Sequence, residues 1–346
     1  MDGISAITPV SGSWVWTPQK LAARDDWIVQ FGKADFAEID AAIRTSLATG
    51  KPATETAKQD FPLPTLASRL ETAAASIRDG AGIALIRGLP VERYDRPALE
   101  AMLWGIGSHL GVAESQSFRG DMIGDVMDMS HTGDTRRSYR SPRPLAMHVD
   151  PVDIVGLLCL RIARHGGESV ISSAMNVHNT ILAERPDLLP WLYRGYHYGH
   201  SEADSSGEAA LSGYRVPVFK KVGDRLAVNF NAPPIRRAYA AHGIQDEPEA
   251  IEAFEYFIEV SGRTDIRHEM SFAPGDLQFL NNRVILHGRR EFEDWPELDR
   301  KRLLLRLWLT PPGWPEWPED MYWRPAGSVH GRGHRPMQNR LEGEHS

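Results

Sequence analysis

The sequence predicts a mainly β fold with accessory helices, a β-sandwich or jelly roll. Three observations carry this. Short β-like runs dominate from about residue 127 onward, and they lack the strict strand–helix alternation of a doubly wound sheet. Helical periodicity concentrates in the first third of the chain. The composition, 42% hydrophobic and 25% charged over 346 residues, is that of a globular protein. Neither an internal repeat nor a polar linker divides the chain.

Residues 34–49 place Phe36, Ile39, Ile43 and Leu47 at helical spacing and stop before Gly50. Residues 65–78 repeat the pattern with Leu66, Leu70, Ala73 and Ile77. A short buried strand is expected over 82–87 (GIALIR), closed by Gly88 and Pro90, and an amphipathic helix over 95–109. Strands are then expected at 154–162, 169–173, 216–221, 226–230, 267–271, 277–280 and 303–309, with Val222-Gly223-Asp224 as a hairpin turn. Helices interrupt at 174–184 and 247–260. After Thr310 the chain is rich in Pro and Trp, then polar. We read 1–346 as one domain: a helical N-terminal elaboration over 1–81, a core over 82–311 and a tail over 312–346.

Thirty-nine basic against 46 acidic residues leave a formal charge of −7, which argues against a nucleic-acid binder. No apolar run approaches the ~20 residues a membrane span requires, and no signal peptide opens the chain, so a cytoplasmic location is expected. One cysteine, Cys159, excludes an intramolecular disulfide and any zinc site built on several thiolates. With 13 histidines beside it, a metal here must be held by imidazole and carboxylate.

His148-Val149-Asp150 places an imidazole and a carboxylate at i and i+2, on one face if the stretch is extended. Alone the pattern is cheap, since His200-Ser201-Glu202 repeats it. His287 follows a turn and an apolar strand within residues 275–289. Over 302–309, Leu303, Leu305, Leu307 and Leu309 share one face of a strand, while Arg302, Leu304, Arg306 and Trp308 share the other. Arginine on an inner face needs an anionic partner. A solvated outer face, or a helix with the arginines at i and i+4, are the alternatives. Together, two histidines and one carboxylate make the facial set of non-haem Fe(II) oxygenases, and a following arginine supplies counter-charge for a dicarboxylate co-substrate.

At these residues the sequence resembles the TauD/TfdA (taurine dioxygenase-like) branch of Fe(II)/2-oxoglutarate-dependent dioxygenases. The landmarks are GIALIRGLP from Gly82, HVD at His148, HGGES from His165, GDLQFLNNRVILHGR from Gly275 and RLLLRLWL from Arg302. The Gly166-Gly167-Glu168-Ser169 stretch selects His148 and Asp150 over His200 and Glu202, which no such element follows. FPLPTL and the pattern from Asn281 to His287 are similar to the clavaminate synthase-like subgroup, some of whose members oxidise amino acids or close C–N bonds in them.

The resemblance implies a double-stranded β-helix (jelly roll) with flanking helices. It implies His148, Asp150 and His287 as iron ligands and as the catalytic centre. Arg302 would pair with the distal carboxylate of 2-oxoglutarate, and Ser169, where the family often has Thr, would hydrogen-bond it. Arg306 would sit near the co-substrate or an anionic group of the substrate. Asp150 counts against a halogenase that replaces this carboxylate with a small residue. The implied reaction consumes O₂ and 2-oxoglutarate, releases succinate and CO₂, and oxidises an unactivated C–H bond of a small molecule. Hydroxylation is the usual outcome, with desaturation or ring closure as variants.

Residues 130–141 and 231–237, rich in arginine, are candidates for the substrate pocket and hint at an anionic or carboxylate-bearing substrate. Met147, Met175 and Cys159 read as packing, and Trp314, Trp317 and Trp323 as cover for the barrel or an interface. The partner expected is a small molecule, with no nucleic acid or membrane; a homo-oligomer is left open. Two other functions compete: a non-catalytic jelly-roll protein that binds a metal or dicarboxylate, and a zinc hydrolase using the same ligands.

Overall fold

The computed structural model describes residues 7–116, 120–132, 140–203 and 209–321. Two sheets carry the site. The larger, seven-stranded sheet runs in the order Ile28–Gln30, Ile83–Arg87, Leu277–Asn281, Ile154–Arg161, Leu303–Thr310 and Val112–Glu114, with Ile123–Val126 also paired to Leu303–Thr310. Its first pair is parallel and the rest are antiparallel. The smaller sheet has four antiparallel strands in the order Arg267–Met270, Ser169–Ser173, Ile285–Arg289 and Leu145–His148.

Helices Lys33–Ala48, Ala67–Asp79 and Arg96–Ser108 pack on the larger sheet through one apolar cluster. Ile39, Ile43, Leu70, Ile77, Met102 and Ile106 meet Ile86, Phe279, Leu305, Leu307 and Leu309 there. The third of these helices starts where it does because the Asp95 side chain accepts from the Ala98 backbone N–H and Pro97 occupies the first turn. Helices Ala174–Glu184, Leu189–Arg194 and Pro248–Gly262 share a second cluster with Ile171 and Leu286 of the smaller sheet.

The strand 303–310 settles the arginine question raised by the sequence. Leu305, Leu307 and Leu309 face the helices, while Arg302 and Arg306 are only 4% and 8% exposed. The two arginines therefore sit inside, and the solvated-face and helix alternatives are excluded.

Other expectations shift by a residue or more for local reasons. The strand expected at 216–221 begins at Phe219, because Pro217 has no N–H to give to a ladder; Val216 keeps an isolated bridge to Tyr196. Val222 pairs with Arg225, so Gly223 at φ +63° and Asp224 form a two-residue hairpin loop. Residues 231–237 do not form a pocket loop: they open the helix Ala232–His242, and Arg236 pairs with Glu255 at the surface.

Met147, Met175 and Cys159 are buried packing residues, as expected. Trp314 and Trp317 stack on Arg283, with its guanidinium carbon 5.6 and 4.5 Å from their rings. Residues 133–139 of the candidate segment 130–141, and residues 322–346 with Trp323, lie outside the described residues. No helix among the described residues is long and apolar enough to cross a membrane.

Candidate active site

His148 ends the strand Leu145–His148, and His287 lies in Ile285–Arg289, two residues before its end. The two are register partners across neighbouring strands, which brings their rings to 4.3 Å between centroids. That approach needs Gly288: a Cβ there would lie 2.5 Å from the Leu145 carbonyl oxygen.

Asp150 lies beyond the strand, and its backbone N–H donates to Asn282 Oδ1. Its two carboxylate oxygens face the histidines, Oδ1 at 3.9 Å from His148 Nε2 and Oδ2 at 4.0 Å from His287 Nε2. One ligand atom from each of the three residues falls within 4.8 Å of the others.

The donor set suits a metal. His148 Nδ1 donates to the Ala146 carbonyl at 2.9 Å, which orients the ring so that Nε2 faces Asp150. Burial pushes His287 down to about 3, with the neighbouring His148 adding to the effect, so its ring is neutral at ordinary pH. Burial alone would raise Asp150, but Arg306, the two imidazoles and the Trp308 N–H bring it below the usual carboxylate range. Two imidazoles and one ionised carboxylate, on neighbouring elements, all buried and lining one cavity, are a donor set that fits a divalent iron.

Trp308 Nε1 donates to Asp150 Oδ2 at 2.9 Å, and Arg306 Nη1 lies 3.5 Å from the same oxygen. Arg306 is held in turn by Gln116. Its Nε donates to Gln116 Oε1 at 2.7 Å, and the Gln116 amide donates to the Arg306 carbonyl at 2.7 Å. The carboxylate is thus fixed by a layer of side chains from the larger sheet.

The cavity beside the triad is lined by Ser169, Arg289, Arg302 and Arg306 on its polar side, and by Val126, Leu157, Phe272 and Leu304 among its apolar residues. Arg302 leans on the Phe292 ring at 5.4 Å, and its Nη1 is buried without a hydrogen-bond partner. Gly166 and Gly167 adopt φ of +72° and +80°; a Cβ at Gly167 would come within 3.1 Å of Arg302 Nε. Gly167 of HGGES therefore makes room for the arginine, while a Cβ at Gly166 would lie 2.2 Å from the Glu291 carbonyl oxygen. Ser169 donates to Gln278 Oε1 at 3.1 Å, and Gln278 is itself fully buried.

All six residues singled out in the sequence, His148, Asp150, His287, Ser169, Arg302 and Arg306, line this one cavity. Four contributors were not singled out. Gln116 and Gln278 carry no local pattern. Asn282 was visible only inside a longer motif, and Arg289 stands two residues after His287, a spacing that puts both on one face of a strand. His200 and Glu202 give no competing site to describe, because their side chains lie outside the described residues.

Comparison with known proteins agrees with this geometry. The chain is 28% identical over 312 residues to FR-33289 synthase from Streptomyces rubellomurinus (strain ATCC 31215), covering 87% of this chain and 90% of that protein. It is 28% identical over 325 residues to the taurine hydroxylase-like protein SAT17 from Stachybotrys chartarum (strain CBS 109288 / IBT 7711), covering 86% and 81%. Among solved structures it is similar to asparagine oxygenase in complex with Fe(II), 2S,3S-3-hydroxyasparagine and succinate. There the TM-score is 0.64 at 18% identity, over 82% of this chain and 93% of the other. It is also similar to the non-heme iron oxygenase OrfP in complex with Fe, succinate and (3S)-hydroxy-L-Arg, at TM-score 0.59 and 14% identity, over 82% and 94%. The profile of the taurine catabolism dioxygenase TauD, TfdA family matches residues 49–308. The chain belongs to that family, and is an Fe(II)/2-oxoglutarate-dependent dioxygenase.

Proposed function

We propose that this dioxygenase hydroxylates an unactivated C–H bond of a small, carboxylate-bearing or amino-acid-like molecule. The single observation carrying the reading is the cavity that joins His148, Asp150 and His287 to buried arginines on one side and an apolar wall on the other. The two similar solved oxygenases hold a hydroxylated amino acid with succinate, which supports the amino-acid-like class. In this reading the two sheets form a double-stranded β-helix within one domain, and the enzyme works in the cytoplasm.

His148, Asp150 and His287 hold the iron. When bound, iron and 2-oxoglutarate supply the oxidising chemistry, with O₂ consumed and succinate and CO₂ released. Arg302 takes the distal carboxylate of 2-oxoglutarate through its vacant Nη1, and Ser169 turns its hydroxyl from Gln278 to the same carboxylate. Arg306 keeps Asp150 ionised and offers positive charge to an anionic group of the substrate. Phe272, Leu157 and Leu304 exclude water from the reacting carbon.

The test is anaerobic. Fe(II) and 2-oxoglutarate added to metal-free protein should give the visible charge-transfer band of the chelate, and admitting O₂ should yield succinate. A panel of small amino and carboxylic acids should contain a member that stimulates succinate release. Alanine at His148, Asp150 or His287 should remove the band. No band and no succinate with wild-type protein would refute the reading. A panel in which only compounds without a carboxylate stimulate turnover would refute the substrate class.

A further inference from the structure

Arg289 has no role in the account above, yet it is among the most constrained side chains of the site. It shares a strand face with His287 and is the direct register partner of Ser169 on the neighbouring strand. It lines the same cavity and is 5% exposed.

One end of its guanidinium is fixed from behind. Nη2 donates to the Ser141 and Arg143 carbonyls, each at 2.6 Å, and the group lies 4.6 Å from the centre of the Phe292 ring. The other end is open: Nε and Nη1 are buried with no hydrogen-bond partner, as is Nη1 of Arg302.

Two buried guanidiniums therefore lie against the same Phe292 ring, at 4.6 and 5.4 Å, and three of their nitrogens lack acceptors. Two carboxylates lie nearby, and neither reaches those nitrogens. Asp128 accepts from Lys301 Nζ at 3.1 Å and from the Ser130 N–H at 3.0 Å. Asp294 accepts the backbone N–H groups of Trp295 and Arg302 through Oδ1. Leaving two adjacent cations desolvated and half-bonded is unfavourable unless an anion enters between them. A neutral water molecule would satisfy a donor but would not offset the two charges.

We propose that Arg289 is a second anion-binding residue for the co-substrate, forming with Arg302 and Ser169 a two-guanidinium cradle for the carboxylate of 2-oxoglutarate remote from the iron. The inference rests on the reading that Arg302 receives this carboxylate. It makes the site demanding toward its co-substrate: a 2-oxo acid without a distal carboxylate leaves both guanidiniums unpaired.

The experiment measures binding, not turnover. Full-length protein loaded with Mn(II) is titrated calorimetrically with 2-oxoglutarate and, separately, with 2-oxobutyrate, which lacks the distal carboxylate. Arg289→Gln should weaken 2-oxoglutarate binding by about 10- to 100-fold, as expected for a lost charge-assisted hydrogen bond, and 2-oxobutyrate binding by less than about 3-fold. Arg289→Lys, which keeps the charge but not the fork, should fall between wild type and Arg289→Gln for 2-oxoglutarate. If Arg289→Gln fails to fold by circular dichroism, Arg289→Lys carries the same two-ligand comparison.

Two outcomes overturn the proposal alone. One is 2-oxoglutarate binding within about twofold of wild type in the Arg289 variant while Arg302→Gln loses it. The other is an equal loss for both ligands, which marks a purely structural role. If wild type does not bind 2-oxoglutarate, or Arg302→Gln binds it normally, the underlying reading fails first and the inference falls with it.

Discussion

Replacing Trp308 with Phe should uncouple the metal-binding strength of the triad from its composition. Trp308 is not a ligand, yet its Nε1 donates to Asp150 Oδ2 at 2.9 Å inside a site where the carboxylate is only 8% exposed. Phe keeps a ring facing Arg306, whose guanidinium carbon lies 5.0 Å from the Trp308 ring, and removes the N–H. A hydrogen bond to a charged acceptor contributes about 1.5–3 kcal/mol, roughly a 10- to 100-fold change in an equilibrium constant. That matches the roughly 10- to 100-fold loss of metal affinity usual when a group orienting a ligand is removed. The dissociation constant for Co(II) or Fe(II), measured anaerobically by competition with a chromogenic chelator, should rise by at least about 10-fold in Trp308→Phe. The change in melting temperature without metal, measured beside it, separates packing loss from ligand orientation. Metal affinity within about twofold of wild type in a folded variant would refute the claim that this N–H holds the carboxylate.

Other outcomes follow from the same structure. Arg283→Met should leave Asp153, whose side chain is 2% exposed and paired to Arg283 at 2.7 Å, without this counter-charge although Trp317 Nε1 still donates to it; up to about 3–5 kcal/mol of stability should be lost, and an unchanged urea midpoint would contradict this. For Asp246, burial pushes the carboxyl up, but hydrogen bonds from Arg215 and Tyr239 hold it below its ordinary value. A depressed folded pKa gives stabilisation that is fully present above the unfolded value of about 4 and is lost as pH falls through the folded one. The stability difference between wild type and Asp246→Asn should therefore shrink as pH falls from about 6 to 2, and a constant difference would contradict it. Saturating Mn(II) at about 100 times its dissociation constant should add about 2.7 kcal/mol of stability, reversed by EDTA and absent in His287→Ala.

Much of the site was legible because its residues recur at spacings that strand geometry converts into proximity. His148 with Asp150, and Arg302 with Arg306 on an alternating strand, are local patterns that a sequence displays directly. His287 was placed by the turn and apolar run before it. What stayed hidden depends on partners far apart in the chain. Gln116 reaches Arg306 across 190 residues, and Ser169 reaches Gln278 across 109. No window of sequence contains either pair. The short strands Ile28–Gln30, Val112–Glu114 and Ile123–Val126 escaped for a different reason: three or four residues hold too few positions to show a period. The helix Ala232–His242 was obscured by Pro233 and Pro234, which read as breakers but suit a first turn.

The position of Leu303–Thr310 also bears on how the chain is made. It is last in sequence among the described strands, yet it lies inside the larger sheet, between Ile154–Arg161 on one side and the short strands Val112–Glu114 and Ile123–Val126 on the other. Until it leaves the ribosome, Ile154–Arg161 presents an unpaired apolar edge to the cell, a state prone to pairing with other chains. It also carries Arg302 at its threshold, together with Arg306 and Trp308. A nascent chain therefore completes its sheet and its anion-binding wall in a single late step. Ribosome-bound chains halted near residue 300 should be protease-sensitive throughout the larger sheet, and protection should arrive abruptly once the strand is free.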